Sequence, residues 1–168
     1  MHWLVDGYNV IRREPTLAAH ERQSLEAGRQ ALCRLLSTAA RVSGDRFSVV
    51  FDGSRGGGSG SGGPGVRAIF SSARETADQV LARMATAGAA VVSSDRAVQR
   101  AAVRARAVPI TADEFLARLE RAERARDADA VDKDDDEEAG RPRSKKGNPR
   151  RLSKKDRLAA RALRRLAR

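Results

Sequence analysis

Short apolar runs and longer stretches of helical periodicity alternate along the first 126 residues. His2–Val5 is an apolar run that stops at Asp6-Gly7, the pattern of a buried strand ending in a turn. After Pro15, Leu17, Leu25, Leu32, Leu35, Leu36 and Ala39 recur near the 3.6-residue period, predicting a long helical stretch that closes at Ser43-Gly44. Phe47–Phe51 reads as a second buried strand and again stops at Asp-Gly, Asp52-Gly53. Residues 53–65 hold eight glycines; so much backbone freedom opposes ordering, and the expectation is a flexible loop. No Gly-Lys-Ser/Thr closes it, so it does not read as a nucleotide-phosphate loop.

Val66–Phe70 resumes as a strand, and Thr76-Ala-Asp-Gln79 has the form of a capping box opening a helix over 78–87. Ala89–Val92 is the next strand, Ser93-Ser94-Asp95 opens a helix through Arg106, and Val108–Ile110 is a short strand. Thr111-Ala-Asp-Glu114 is a second capping box, starting a helix to about Arg126. Continuously apolar strands alternating with helices indicate an α/β fold with a central, mostly parallel sheet flanked by helices on both faces.

Charge separates the rest of the chain from this body. The protein carries 33 Lys and Arg against 22 Asp and Glu, a net +11. Residues 127–138 contain eight acids and one lysine; residues 139–168 contain thirteen basic residues and one acid. The expected organisation is therefore a domain over 1–126, an acidic linker over 127–138 and a basic tail over 139–168. The tail is poor in bulky apolar residues and reads as largely disordered, with helical propensity from Ser153. An excess of positive charge points to a polyanionic partner, nucleic acid before membrane. The lone Cys33 excludes an internal disulfide, and no run approaches the ~18 apolar residues of a membrane span. The N-terminal run has no basic segment and is broken by Asp6, so the expected location is cytoplasmic.

Four acids matter for where they fall. Asp6 and Asp52 end strands; Asp78 and Asp95 lie in first helical turns. In a parallel α/β sheet these positions share the carboxyl edge of the strands, where ligands bind at a topological switch point. Each acid alone has an ordinary explanation, because Asp is favoured at helix starts and in turns. Four on one edge favour a hard divalent cation, since Mg²⁺ takes oxygen ligands and commonly one or two carboxylates. Asn9 and Ser94 are polar candidates beside them, and Arg55 and Arg96 are weaker candidates for a substrate phosphate. His2 and His20 are the only histidines, one at the terminus and one on a helix face, so a His-based acid–base pair is not expected, and a Ser-His-Asp or Cys-His set has no support.

The segments Val-Asp-Gly-Tyr-Asn-Val-Ile (5–11), Val-Val-Phe-Asp-Gly (49–53), Phe-Ser (70–71), Glu-Thr-Ala-Asp (75–78) and Val-Val-Ser-Ser-Asp-Arg-Ala-Val-Gln (91–99) resemble the YacP-like branch of the NYN domain family. The resemblance covers nearly all of residues 1–122. It implies a PIN-like three-layer fold and a metal-dependent endoribonuclease linked to mRNA cleavage on the ribosome. By position, Asp6, Asp78 and Asp95 look like the metal-binding acids, with Asn9, Asp52 and Ser94 as neighbours and Mg²⁺ or Mn²⁺ as the cofactor. One departure is Gln79, which stands where the family commonly has a second Asp. That missing carboxylate keeps open a catalytically weak or inactive RNA- or ribosome-binding module that works through the basic tail. A small-molecule phosphohydrolase is a third reading, opposed by the positive charge.

Overall fold

The computed structural model describes residues 1–53, 58–131 and 153–165. Thirteen elements follow one another among these residues: β1 (His2–Asp6), α1 (Gly7–Ile11), α2 (Pro15–Gln23), α3 (Leu25–Ser43), β2 (Arg46–Phe51), β3 (Gly58–Gly63), β4 (Val66–Phe70), α4 (Ala77–Met84), β5 (Ala90–Val92), α5 (Arg96–Arg104), β6 (Val108–Ile110), α6 (Ala112–Val131) and α7 (Lys154–Arg165). The strands form one sheet in the order β3-β4-β2-β1-β5-β6. All neighbours are parallel except the β3–β4 hairpin. The expected α/β architecture, a mostly parallel central sheet flanked by helices, is thus present.

Alternation along each strand sorts the core into two layers. Trp3, Val5, Phe47, Val49, Phe51, Ala90 and Val92 pack with Leu32 and Leu36 of α3 and Phe115 and Leu119 of α6. Leu4, Val50 and Val91 face the other way, onto Val80 and Leu81 of α4 and Val98 and Ala102 of α5. This two-sided burial is why the strands read as unbroken apolar runs. Trp3 stacks on Phe47 and meets Phe115 at a tilt, with ring centroids 6.1 and 5.5 Å away. Its indole N–H donates to the buried Asp45 at 2.9 Å, so the polar edge of the largest core side chain is satisfied.

Three features differ from the sequence expectation. The helical stretch after Pro15 is two helices, because Ser24 is extended and its hydroxyl accepts from the Ala27 amide at 3.0 Å, capping α3. The apolar period continues across this break, so periodicity alone does not reveal it.

The glycine-rich stretch is the second. Residues 58–63 form an edge strand, where a loop was expected over 53–65. β4 supplies the ladder, and α3 needs the missing side chains: a Cβ on Gly62 would lie 3.0 Å from Cys33 Sγ, and one on Gly63 would lie 2.5 Å from Ser37 Oγ. Glycine here is what lets a helix cross the strand closely.

The third difference lies in the basic tail. Its helix α7 docks on the domain, burying Ala159 and Ala162 in the larger core layer. The Arg118 side chain of α6 donates to the Leu163 carbonyl at 2.8 Å, satisfying an acceptor in the last turn of α7. Residues 132–152, which include most of the predicted acidic linker, fall outside the described residues, as does Arg55. No helix among the described residues is long and apolar enough to cross a membrane.

Gly63 also has a φ of 116°. Gly63→Ala should therefore cost about 1–3 kcal/mol in urea unfolding, from strain and from the clash with Ser37. An unchanged midpoint would contradict the close packing of α3 on β3.

Candidate active site

The chain leaves β1 for β2 and β4 on one side, then returns to place β5 on the other. The carboxyl end of β1 is therefore the switch point of the sheet, and the crevice expected there is present. It is a cleft of about 900 Å³ lined by Asp6, Tyr8, Asn9, Arg12, Arg13, Leu25, Asp52, Thr76, Ala77, Asp78 and Asp95. All four sequence-selected acids border this one cleft.

Asp6 is the innermost of them. It ends β1 and caps α1, one carboxylate oxygen accepting from the Asn9 amide at 3.2 Å. Its other oxygen accepts from the Ser93 hydroxyl at 2.9 Å. Gly7 follows because the chain must turn against the Phe51 ring: a Cβ there would lie 2.3 Å from Phe51 Cε1. Burial pushes the Asp6 carboxyl above its ordinary pKa, opposed by the bonds from Ser93 and Asn9 and reinforced by Asp78 and Asp95.

The other acids surround it. Asp95 caps α5, accepting from the Ala97 and Val98 amides, and its own amide donates to Ser93 Oγ at 3.1 Å. Asp52 follows β2 and accepts from the Ser71 hydroxyl at 2.7 Å; that hydroxyl in turn accepts from the Gly53 amide at 2.9 Å. Asp78 lies in the first turn of α4, and its carboxyl is also raised, by burial first and then by Asp95 and Asp52.

Asn9 and Ser94 connect the cleft to its supports. The Asn9 side-chain carbonyl accepts from the Ser94 amide at 2.9 Å. The Ser94 hydroxyl accepts from the Ala112 amide at 3.2 Å, tying this loop to the start of α6. Ser94 is thus a bracing residue, and the hydroxyl on Asp6 belongs to Ser93, which is fully buried. Arg96 borders a separate groove along α5 with Gln99, Arg100 and Val103. Gln79 closes the predicted capping box, its side-chain oxygen accepting from the Thr76 amide at 2.9 Å.

Sequence reasoning missed Ser93, Ser71, Tyr8, Arg12 and Arg13. Arg12 sits 5.4 Å over the Tyr8 ring and 3.5 Å from Glu21; Arg13 pairs with Asp113 at 2.6 Å. Both arginines directly follow the first motif, a signal masked by the abundance of arginine elsewhere.

The donor set can be tested against a divalent cation. Four carboxylates supply hard oxygens, and each Asp6 oxygen accepts one hydrogen bond while retaining acceptor capacity. No set of three or more acidic, His or Cys side chains is assembled in metal-holding geometry among the described residues. The arrangement fits an ion bound through one or two carboxylates with the remaining positions filled by water.

A mostly parallel sheet covered on both faces, with acids gathered at the carboxyl end of its central strand, is the arrangement of a PIN-like nuclease domain, and the family match assigns the chain to that class. The chain belongs to the YacP-like NYN domain family, whose model matches residues 3–166. It is similar to the crystal structure of Rae1 (YacP) from Bacillus subtilis, at 28% identity over 79% of this chain and 80% of that one, with a TM-score of 0.59. A Trp-to-Leu variant of the same Bacillus subtilis protein is also 28% identical, over 81% of this chain and 86% of that one, with a TM-score of 0.66. No curated protein matches the chain significantly.

The raised carboxyl of Asp6 gives a stability prediction. The folded chain holds the Asp6 proton more tightly than the unfolded chain does. Ionising it therefore costs stability as pH rises from the ordinary carboxylate range through its raised pKa. Asp6→Asn keeps the cap through its side-chain oxygen and removes the charge, its amide group donating to Ser93 Oγ where the carboxylate accepted. Without added divalent cation, the variant should melt above wild type at pH 7, with the gain vanishing in acid below the ordinary carboxylate range. A lower melting temperature at pH 7 would show that the charge stabilises the cleft.

Proposed function

We propose that the protein is a divalent-cation-dependent endoribonuclease that hydrolyses phosphodiester bonds in RNA, including mRNA on the ribosome. The observation that carries this reading is the single cleft at the end of β1 bordered by Asp6, Asp52, Asp78 and Asp95. Asp6, Asp78 and Asp95 would hold Mg²⁺ or Mn²⁺, one or two of them directly and the rest through water, with Asp52 beside them. A bound ion of this kind supplies Lewis-acid stabilisation of phosphoryl charge and lowers the pKa of water.

The chain's own residues set up the rest. Ser93 and Asn9 fix the Asp6 carboxylate, and the caps on α5 and α4 fix the positions of Asp95 and Asp78. Arg12 and Arg13 at the rim offer positive charge to the RNA backbone, whose affinity then falls with salt. The basic helix α7 adds to that charge away from the cleft. Hydrolysis by water breaks the bond to the 3′-oxygen and leaves 5′-phosphate and 3′-hydroxyl ends, with no role for the 2′-hydroxyl as nucleophile.

A second reading is an RNA- or ribosome-binding module of little or no catalytic power. It is favoured by Gln79, whose amide serves the α4 cap, and by the absence of a preassembled three-acid set among the described residues. Cleavage of an end-labelled RNA, free and on translating ribosomes, with Mn²⁺, Mg²⁺ or chelator separates the two. The nuclease reading expects metal-dependent cutting that falls about 100-fold or more in Asp6→Asn/Asp95→Asn, while RNA affinity survives. Intact binding with no cutting in either format would favour the binding module.

A further inference from the structure

A second cavity, of about 380 Å³, lies beside the acidic cleft between α3 and the β3–β4 hairpin. The two are neighbours: Leu25 borders the cleft and Glu26 the cavity. An aromatic row also joins them. Tyr8 at the cleft meets Phe51 edge-on at 5.4 Å, and Phe51 stacks on Phe70 at 5.7 Å.

The cavity has the parts that a planar, polar-edged ring requires. Phe70 is partly exposed, and the Arg29 guanidinium lies 5.4 Å over its ring. The Arg29 Nε is buried, yet finds no acceptor among the described residues. Gly60, Ser61 and Gly62 line the opposite wall on β3, the edge strand of the sheet. With almost no side chains there, the strand leaves room for a flat ligand to lie against its backbone. A partly exposed aromatic ring, an arginine with an unused donor and a wall of glycines together match a nucleobase more closely than a phosphate or an apolar ligand.

We propose that this cavity receives one unpaired base of a single-stranded RNA whose backbone continues into the acidic cleft. The proposal rests on RNA being the substrate. It assigns to Arg29 and Phe70 the role of holding a base near the scissile phosphate, and so of selecting unpaired RNA. The base must leave any helix to enter, because a paired base cannot present its face and edge to such a pocket.

Gly60 provides a test that disturbs little packing. A Cβ on Gly60 meets nothing within 4 Å, so Gly60→Leu would place a side chain in open space at the cavity wall. Binding of a short fluorescent single-stranded RNA is measured in chelator, where cleavage is off. The panel is wild type, Gly60→Leu and Arg29→Met, each with RNAs carrying one abasic nucleotide at successive positions. The expected result is about ten-fold weaker binding for both variants, and a similar loss for wild type with an abasic nucleotide at one position. At that position, variant and abasic losses should not add. Thermal unfolding run in parallel should show Gly60→Leu folded, so that its loss reports the pocket.

Wild-type affinity in both variants, or losses that add fully at every abasic position, would overturn the proposal. Because binding is read without cutting, the outcomes separate. RNA that is bound through this pocket but never cut would remove the nuclease reading alone. RNA that is cut with metal, yet bound equally by wild type, Gly60→Leu and Arg29→Met, would remove the pocket alone.

Discussion

The hydrogen bond from Ser93 to Asp6 joins residues 87 apart in sequence, at the ends of two neighbouring parallel strands. The rest of the cleft depends on it. β1 is central in the sheet, and its last residue must be both a helix cap for α1 and a carboxylate open to the crevice. The Ser93 hydroxyl serves one Asp6 oxygen and also receives the Asp95 amide, so one buried serine sets the spacing of two acids. Ser71 performs the corresponding task for Asp52 on the other side of β1. Hydroxyls just past β5 and β4 thus hold the acids that end β1 and follow β2, and the sheet register becomes the geometry of the site.

That arrangement works against ionisation. Asp6 and Asp78 both have carboxyls raised by burial and by their acidic neighbours. Local rules of stability would disperse these charges or pair them with arginine, which the chain has in abundance. The cleft's two arginines, however, are engaged with other partners, Arg12 with Tyr8 and Glu21 and Arg13 with Asp113. Like charges gathered in one cleft, with no arginine bridged to them among the described residues, mark it as a candidate functional site. Asp45 shows the contrast: a buried carboxylate that serves the fold accepts from the Trp3 indole and pairs with the Met1 ammonium.

Much of this was legible in the sequence because parallel strands buried on both faces leave continuous apolar runs, and each run stops where the chain turns at the site. Asp6 and Asp52 are visible for that reason, and Asp78 and Asp95 because helix starts announce themselves through Thr76, Ser93 and Ser94. Between adjacent serines the choice was not legible. Ser93 continues the buried strand and points at Asp6, whereas Ser94 braces α6, and one step along the chain reverses the direction of a side chain. The β3 strand was hidden because its sequence has no apolar pattern; its order comes from β4 and from the approach of α3, both distant in sequence. The docking of α7 was hidden likewise, since Ala159 and Ala162 bury small side chains that composition alone counts as weakly apolar. Gln79 was legible twice, as a lost acid and as a cap; its structural partner is Thr76.

The most direct test of the central claim is where Mn²⁺ binds, read as paramagnetic line broadening across the assigned amide spectrum at substoichiometric ion. The account predicts broadening centred on Asp6, with Asp52, Asp78 and the Ser93–Asp95 turn affected next, and relief by excess Mg²⁺. Broadening centred instead on the acids of α6, Asp113, Glu114, Glu120 and Glu123, or spread without a centre, would contradict it.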